Sequence, residues 1–486
     1  MAQPAGIAAD ASATSSVVMV AYYFPPDGSA GVYRALRFVR HLPQRGWTPA
    51  IVTLDTDAHP RPDPQLLELV PSEVDVVRVP DPDVWKRIQA RREEGTRATL
   101  RDADASQAAS VRRSHQRPVR RLARHIVRTI EGTVYYPDTA RFWIRPAVAA
   151  TVAMCREKQA SAILATGGPW SSFFAAKEAS RHTGVPYVLD FRDSWTLTLN
   201  EDFEIWRPSW AERRDRRLLM DLFAGARSII LRYEAEAECY WRAYAPALDP
   251  RKVHLIPNGY EGAIGEFQAA SSDRCRVLYT GTLTQYRYDT FLDALKVLRD
   301  RHPADAARLR LSFVGEGGAD LASEAERRGV GDLIETRGIV PASEVDRLQH
   351  ESHALLLLGV RPFRGYELVG SKVFNYLKAA RPIIGILPRD ETRNVLEAVG
   401  VSTVADIDSP PEIVATLRQL LRNWSEGRLG DLLPDREACA AFSAEHQVDC
   451  LVRALEGLPP LTPFVPGRVD IPNSLKTTIG AAGWIQ

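Results

Sequence analysis

Cysteine is scarce in this chain, with five residues among 486. Their scattered positions match neither the paired spacing of a zinc site nor the density of a disulfide-bonded secreted scaffold. The scarcity therefore favours a protein that folds on its hydrophobic core alone, in a reducing cytoplasm.

An excess of one charge sign is also absent. Lys and Arg number 62 and Asp and Glu 61, so the formal net charge is +1. This balance gives no basis for predicting nucleic-acid binding by the whole protein. No run approaches the ~20 apolar residues that span a bilayer, and residues 1–15 lack the pattern of a signal peptide. We interpret 1–15 as a disordered leader and predict a cytoplasmic protein that reaches, at most, the inner face of the plasma membrane.

The overall composition is that of a globular protein, with 45% hydrophobic and 25% charged residues. At roughly 150 residues per domain, the length predicts two or three domains. Short β-branched runs alternate with amphipathic segments, which is the pattern of parallel sheets connected by helices. The sequence therefore predicts an α/β fold.

The predicted strands form two series. The first series comprises 16–24, 50–54, 160–166, 186–191 and 227–231, and the second comprises 253–258, 276–281, 309–315, 354–360 and 382–386. We predict two doubly wound, Rossmann-like domains at 16–250 and 251–435. A helix at 436–458 is expected to return towards the N-terminal domain, and 459–486 is expected to form a tail.

A basic segment interrupts the first series. Residues 85–130 contain thirteen Lys or Arg and only four Asp or Glu, and we interpret them as a helical insertion. Within it, 117–130 would form a helix with one apolar and one Arg-rich side, as in helices that lie on membranes. The alternative is an ordinary solvated helix that covers the sheet.

Ligands of doubly wound domains bind at the carboxyl ends of the strands, so the loops there are the candidate sites. In YYFPPDGSAGVYRALR, Gly28 and Gly31 precede a helix that is expected to start near Val32. Glycines at such a position let the backbone approach an anion at the helix N-terminus. A glycine-containing turn without a ligand explains the same residues.

Charged residues follow another strand, in the segment DFRDSW. Asp190, Arg192 and Asp193 lie where charge is costly unless it is paired or used. They are therefore candidates for a site, and an ion pair of Arg192 with either carboxylate is the structural alternative.

Two loops of the second series suit a diphosphate. In YTGTLTQYRYD, Gly281 and Thr282 follow a strand, and Arg287 offers paired donors to phosphate oxygens.

The second of these loops is GYELVGSKVFNYLKAARP. Glu367 lies in the loop, Gly370 and Ser371 are expected to begin a helix, and Lys372 and Asn375 fall in its first turns. The first backbone N–H groups would receive phosphate, and Asn375 and Glu367 would bond sugar hydroxyls. Taken alone, Lys372 also fits an ordinary surface lysine.

In their order and spacing, these segments, together with TGGPWSSFFAAKEASRHTGVPYVLDFRDSW and IPNGYE, resemble bacterial family-4 retaining glycosyltransferases of GT-B fold. The resemblance covers roughly 16–456. It implies two Rossmann-like domains that face a central cleft, with the nucleotide sugar on the C-terminal domain and most of the acceptor on the N-terminal domain.

The resemblance also assigns site residues. The catalytic set that it implies is Arg287, Lys372, Glu367, Arg192 and Asp193. The donor-binding set is Gly28, Gly31, Gly281, Thr282, Gly315, Ile339, Val340, Leu368, Val369, Gly370, Ser371 and Asn375. Within this set, Ile339 and Val340 are expected to contact the nucleotide base. Three positions depart from the family pattern: Asn375 replaces a glutamate, Thr282 an arginine and Arg192 a histidine.

The implied activity is transfer of a sugar from a nucleotide-diphosphate sugar to a lipid-linked, polysaccharide or other glycan acceptor, with retention of configuration. Envelope-glycan synthesis is the expected setting, and no metal or cofactor is expected. Two alternatives remain open, namely a GT-B nucleotide-sugar epimerase and a catalytically silent GT-B binding module.

Overall fold

A computed structural model describes residues 14–29, 31–56, 62–83, 134–195, 209–245, 247–268, 271–283, 286, 288–360, 369–370 and 372–468. The leader up to residue 13, the basic insertion with its proposed membrane helix at 117–130, and the tail from 469 onwards lie outside these ranges.

The first lobe is built on a seven-stranded parallel sheet. Its strands are β1 (Ser15–Val20), β2 (Trp47–Leu54), β3 (Asp75–Val79), β4 (Ala162–Thr166), β5 (Tyr187–Asp190), β6 (Ser228–Leu231) and β7 (Val253–Leu255), in the order β3-β2-β1-β4-β5-β6-β7. Its helices are α1 (Val32–His41), α2 (Ile144–Glu157), α3 (Ser171–Thr183), α4 (Ser209–Gly225) and α5 (Glu234–Tyr244). The strand order reverses direction at β1, which places a ligand-binding crevice between the loops after β1 and β4.

The second lobe is built on a six-stranded parallel sheet. Its strands are β8 (Cys275–Thr280), β9 (Leu309–Val314), β10 (Ile334–Arg337), β11 (Ala354–Leu358), β12 (Ile383–Leu387) and β13 (Val404–Asp406), in the order β10-β9-β8-β11-β12-β13. Its helices are α6 (Asp289–Arg301), α7 (Pro303–Ala307), α8 (Gly318–Arg327), α9 (Ala342–Glu351), α10 (Lys372–Lys378), α11 (Glu391–Ala398), α12 (Pro410–Ser425) and α13 (Arg436–Cys439). Here the order reverses at β8, so the corresponding crevice lies between the loops after β8 and β11.

One predicted strand belongs to the other sheet. The sequence places the strand that begins at Val253 at the head of the second series, but β7 pairs with β6 in the first sheet, with Ile229 opposite Val253. This expectation is wrong because a short apolar run carries no information about which sheet it joins. The chain therefore completes the first sheet before it crosses to the second lobe.

A last helix, α14 (Ala444–Glu456), packs on the first lobe, against α1, β4, β6 and β7. Ser443 caps its start by accepting a hydrogen bond from the backbone N–H of His446 at 3.2 Å, and Gly457 ends it with φ of 71°. Val448 and Leu451 bury their side chains in the core of the first lobe. The chain thus crosses between the lobes twice.

The strands read as near-continuous apolar runs because both faces of each sheet are covered. In β1, for example, the residues from Val17 to Val20 are fully buried. Within the part of the chain that the structure describes, no helix is long and apolar enough to cross a membrane.

Candidate functional site

A helix of the second lobe and a helix of the first lobe begin near one another. Glu391 opens α11 directly after β12, and Glu234 opens α5 after β6. Burial, the largest cause, together with repulsion from Asp390, Glu234 and Glu236, raises the pKa of Glu391 above its usual value. Since this repulsion acts between residues of the two lobes, the segments after β6 and β12 lie close to one another.

On the side of the second lobe, two glycines bring neighbouring loops into close contact. Gly281 follows β8 with φ of 123°, and Gly315 follows β9 with φ of 132°. A Cβ on Gly315 would lie 2.4 Å from the carbonyl oxygen of Gly281. Only glycine fits this close approach of the two backbones. The backbone of Gly281 and Gly315 therefore forms a surface at the end of the sheet, which we call the glycine floor.

Lys372 lies against this floor. Its Nζ is 3.8 Å from the ring centroid of Tyr279 and 5.1 Å from that of Tyr286. A Cβ on Gly281 would lie 3.0 Å from both Cε and Nζ of Lys372. Burial lowers the pKa of Lys372 to about 7, although the two rings stabilise the charged form by cation–π contact.

The packing of α10 fixes this amine. Val373, Phe374, Tyr376 and Leu377 are buried, so this short helix is anchored along its apolar side. The Tyr376 hydroxyl also accepts a hydrogen bond from the backbone N–H of Thr280 at 3.0 Å, which ties α10 to the end of β8. Lys372 therefore has a fixed position beside the loop of Gly281.

The remaining donor-site candidates of the second lobe differ in exposure. Asn375, Thr282 and Gly370 are exposed, and Val369 is buried. The Ile339 side chain, in the loop after β10, is 82% exposed, whereas Val340 packs partly against the core. An aliphatic side chain as exposed as Ile339 is available to a planar ligand.

On the side of the first lobe, Arg192 lies on Gly31. A Cβ on Gly31 would be 1.2 Å from Nη1 of Arg192, so the guanidinium occupies the space of the missing side chain. Arg192 also donates to the carbonyl of Gly168, pairs with Asp193 at 3.0 Å and lies 5.7 Å from the ring centroid of Tyr23. Gly31 thus leaves room for the guanidinium of Arg192, a role that the sequence did not indicate. Gly28, four residues after Phe24, is exposed in the same loop.

Asp190 pairs with an arginine other than Arg192, the partner that the sequence suggested for it or for Asp193. Its carboxylate accepts hydrogen bonds from Arg34, with the closest contact at 2.7 Å, and both side chains are almost fully buried. Arg34 also donates to the carbonyls of Ile256 and Pro257. The sequence motifs did not point to Arg34; the available signal was the recurrence of arginine at every third position, Arg34, Arg37 and Arg40, in the helix after Gly31.

Four predicted site residues, Arg287, Glu367, Leu368 and Ser371, lie outside the described residues, and their placement stays a prediction. The structure brings Gly281, Gly315 and Lys372 together in the second lobe, and Gly31, Arg192 and Asp193 together in the first. Within the described ranges, no group of three or more His, Cys, Asp or Glu side chains is arranged to hold a metal ion.

Comparison with known proteins supports the architecture. No family model and no curated protein matches this chain. Among solved structures, it is similar to sucrose-phosphate synthase from Thermosynechococcus elongatus (TM-score 0.54, 13% identity, covering 91% of this chain and 98% of that one). It is also similar to TarM (0.55, 10%, 92% and 100%) and to the lipopolysaccharide outer core galactosyltransferase WaaB (0.52, 11%, 91% and 99%).

These similarities extend over nearly the whole of each chain, with two parallel-sheet lobes in this one. The fold is therefore GT-B, as the sequence predicts. At 10 to 13% identity, the similarity shows the fold alone.

Proposed function

We propose that this protein is a glycosyltransferase that moves a sugar from a nucleotide-diphosphate sugar to a lipid-linked, polysaccharide or other glycan acceptor. The observation that carries the proposal is the partly desolvated amine of Lys372 beside the glycine floor of Gly281 and Gly315. A partly desolvated amine beside backbone that a ligand can approach closely is suited to the diphosphate of a donor. The similar structures include S. aureus TarM in complex with UDP.

The proposed chemistry divides between the two sides of the cleft. As the bond from the anomeric carbon to the diphosphate oxygen breaks, negative charge grows on the diphosphate and positive charge on the sugar ring. Lys372, together with Arg287 from outside the described residues, would stabilise the diphosphate, and Glu367 would orient and support the sugar.

The remaining features of the proposal follow from the resemblance to family-4 enzymes. The acceptor hydroxyl attacks the same face that the diphosphate leaves, so configuration is retained, and the leaving phosphate takes the hydroxyl proton. No protein side chain then serves as a nucleophile, and no metal or cofactor is required.

A thermal-shift screen across nucleoside diphosphates and nucleotide sugars tests the donor site. A ligand that binds only the folded protein raises its stability by an amount set by the ratio of concentration to Kd. We expect one nucleotide series to stabilise the protein and Lys372→Met to reduce the shift at the same ligand concentration. If no nucleotide sugar binds at millimolar concentration, the proposal is wrong.

Product analysis separates the alternatives. With donor alone, a nucleotide-sugar epimerase would isomerise or hydrolyse the donor, whereas a transferase would need an acceptor for efficient turnover. A silent binding module would bind the donor without turnover, and its partner interaction would survive alanine at Glu367 and Arg287. A transferase would lose turnover in both variants.

We further propose that the enzyme works in envelope-glycan synthesis at the inner face of the plasma membrane, through the basic segment 117–130. Each basic residue near an anionic surface contributes about 1 kcal/mol. The protein should therefore co-sediment with anionic vesicles at low salt, and neutralising Arg120, Arg121, Arg124 and Arg128 should weaken this. Equal sedimentation of variant and parent would remove the membrane contact.

A further inference from the structure

The first lobe carries a compact group of partly exposed residues at the carboxyl end of its sheet, which we call the aromatic shelf: Tyr23, Gly168, Trp170, Arg192 and Asp193. These residues come from the loops after β1, β4 and β5, on either side of the point where the strand order reverses. Arg192 joins them, because it contacts Gly168, Asp193 and the ring of Tyr23.

Trp170 is a firmly supported ring. It is partly exposed and stacks on Trp195, with ring centroids 5.5 Å apart and planes 24° from parallel. Trp195 is 1% exposed, and its backbone N–H and carbonyl each form a 2.6 Å hydrogen bond with the buried Tyr240 hydroxyl. A rigid, partly exposed indole offers apolar contact at little cost in side-chain entropy.

The positive features of the shelf are already balanced. Arg192 pairs with Asp193 at 3.0 Å. The start of α3, the helix that follows Trp170, is occupied by Asp138, which accepts hydrogen bonds from the backbone N–H of Ser171 at 2.8 Å and from its hydroxyl at 2.7 Å. The guanidinium and the start of this helix therefore each already face a carboxylate, which makes them less favourable for phosphate.

The opposite side of the cleft has the reverse character. Among the described residues, no carboxylate forms an ion pair with Lys372, whose contacts are aromatic rings and glycine backbone. A diphosphate is thus favoured on the second lobe and a neutral ligand on the first. Asp193 supplies the polar group that such a ligand needs, since its side chain is 46% exposed and its carboxylate accepts hydrogen bonds.

We propose that the aromatic shelf binds a neutral saccharide ring, so that the acceptor ends in an uncharged sugar rather than in a phosphate. The apolar face of the ring lies on Trp170, and a ring hydroxyl donates to Asp193. This inference rests on the proposed function. In the transfer step, an acceptor hydroxyl oxygen bonds to the anomeric carbon of the donor, the bond from that carbon to the diphosphate oxygen breaks with its electron pair on the diphosphate, and the hydroxyl proton passes to the leaving phosphate.

The test measures binding of neutral methyl glycosides of common hexoses and N-acetylhexosamines to the full chain, by saturation-transfer NMR in the presence of a nucleoside diphosphate. Sugar 1-phosphates and undecaprenyl phosphate serve as the anionic probes. We expect a neutral glycoside to bind, Trp170→Ala and Asp193→Asn each to weaken it about tenfold, and Phe142→Ala, an exposed aromatic of the same lobe, to leave it unchanged.

Nucleoside diphosphate affinity separates this inference from the proposed function. It should be the same in Trp170→Ala, Asp193→Asn and the parent, which also shows that the variants fold. If only the phosphorylated probes bind, or if neutral glycosides bind equally to parent and Trp170→Ala, the saccharide shelf is wrong and the donor site stands. If no nucleotide binds to the parent, the proposed function itself fails.

Discussion

Lys372 is the side chain whose protonation matters most for the proposed donor site. With a pKa of about 7, it is already charged below pH 7 and must take up a proton to bind a diphosphate above pH 7. Affinity for the tightest-binding nucleoside diphosphate should therefore fall as pH rises from 7 to 9, by up to about tenfold per unit. Titration calorimetry in buffers of different ionisation enthalpy measures both the affinity and the proton uptake.

Two variants control this prediction. Lys372→Arg keeps a charge that does not titrate in this range, so its affinity should be nearly independent of pH. Lys372→Met should bind roughly 10- to 100-fold more weakly at pH 7, because a charge-assisted hydrogen bond is lost. Proton uptake that persists in Lys372→Met would assign the titration to another group.

Gly31 isolates the role of Arg192. Its φ of −66° suits alanine, so only the guanidinium of Arg192 opposes a Cβ there. Gly31→Ala should leave the free energy of unfolding within about 0.5 kcal/mol of the parent and still lower turnover by about tenfold, because Arg192 is displaced. Gly430→Ala, where a Cβ meets no atom within 4 Å, is the matched control and should leave turnover unchanged. Turnover of Gly31→Ala equal to that of the parent would show that the position of Arg192 does not matter.

His254 is 1% exposed, and neither of its ring nitrogens has a hydrogen-bond partner among the residues that the structure describes. Burial, with a smaller contribution from Arg453, lowers its pKa to about 4. The unfolded chain binds the proton at about pH 6.5, so stability that is present above pH 6.5 is lost as pH falls towards 4. At pH 5 this loss is about 2 kcal/mol relative to pH 7.

Urea unfolding at pH 7 and pH 5 measures this loss. His254→Leu should lose about 2 kcal/mol less between these pH values than the parent does. His182 is exposed, and His182→Gln should change the pH dependence little. A parent and a His254→Leu variant with the same pH dependence would contradict the assignment.

Among the elements, α1 links the first lobe to the crossing between the lobes. Arg34, Arg37 and Arg40 recur every three residues and therefore share one side of the helix. Arg37 donates to the carbonyl of Gly259 at 2.8 Å, and Arg40 pairs with Glu261 at 3.0 Å. The helix α1, which begins beside Gly31 and Arg192, therefore also binds the segment through which the chain passes to the second lobe.

The helix α14 follows the second lobe in the sequence but packs against the first lobe. Leu451 is fully buried against the first sheet. Leu451→Ala should lower the free energy of unfolding by about 2–5 kcal/mol, the range for a buried leucine, whereas Glu445→Ala on the exposed side should change it by less than about 0.5 kcal/mol. Chemical denaturation of the two variants compares these effects. Equal small losses would show that α14 contributes little to the first lobe.

For the whole molecule, one hydrophobic cluster runs through both lobes. It contains Val18 and Leu189 of the first sheet together with Leu355 and Leu387 of the second. Although two-domain proteins often unfold in steps, this shared core predicts a single calorimetric transition, which a bound nucleoside diphosphate shifts as a whole. Two resolved transitions, of which the nucleotide moves only one, would contradict the prediction.

The sequence by itself determined the local structure and the order of its pieces. The α/β class, the two parallel sheets and the start of α1 at Val32 follow from apolar runs, helical periodicity and glycine positions, because these express backbone preferences over a few residues. The GT-B fold was the expectation that the resemblance of these segments to family-4 glycosyltransferases implied. Lys372 was singled out from its place at a predicted helix start.

Only the tertiary structure decided which groups meet. It placed β7 in the first sheet, paired Asp190 with Arg34, laid Arg192 on Gly31, and brought Lys372 over Tyr279. The partners in the three side-chain contacts are about 90 to 160 positions apart, and short-range sequence patterns do not encode such distant contacts. The first lobe carries balanced charge at Arg192 and Asp193, and the second carries the partly desolvated amine of Lys372. This difference depends on burial and ion pairing, which exist only once the chain has folded.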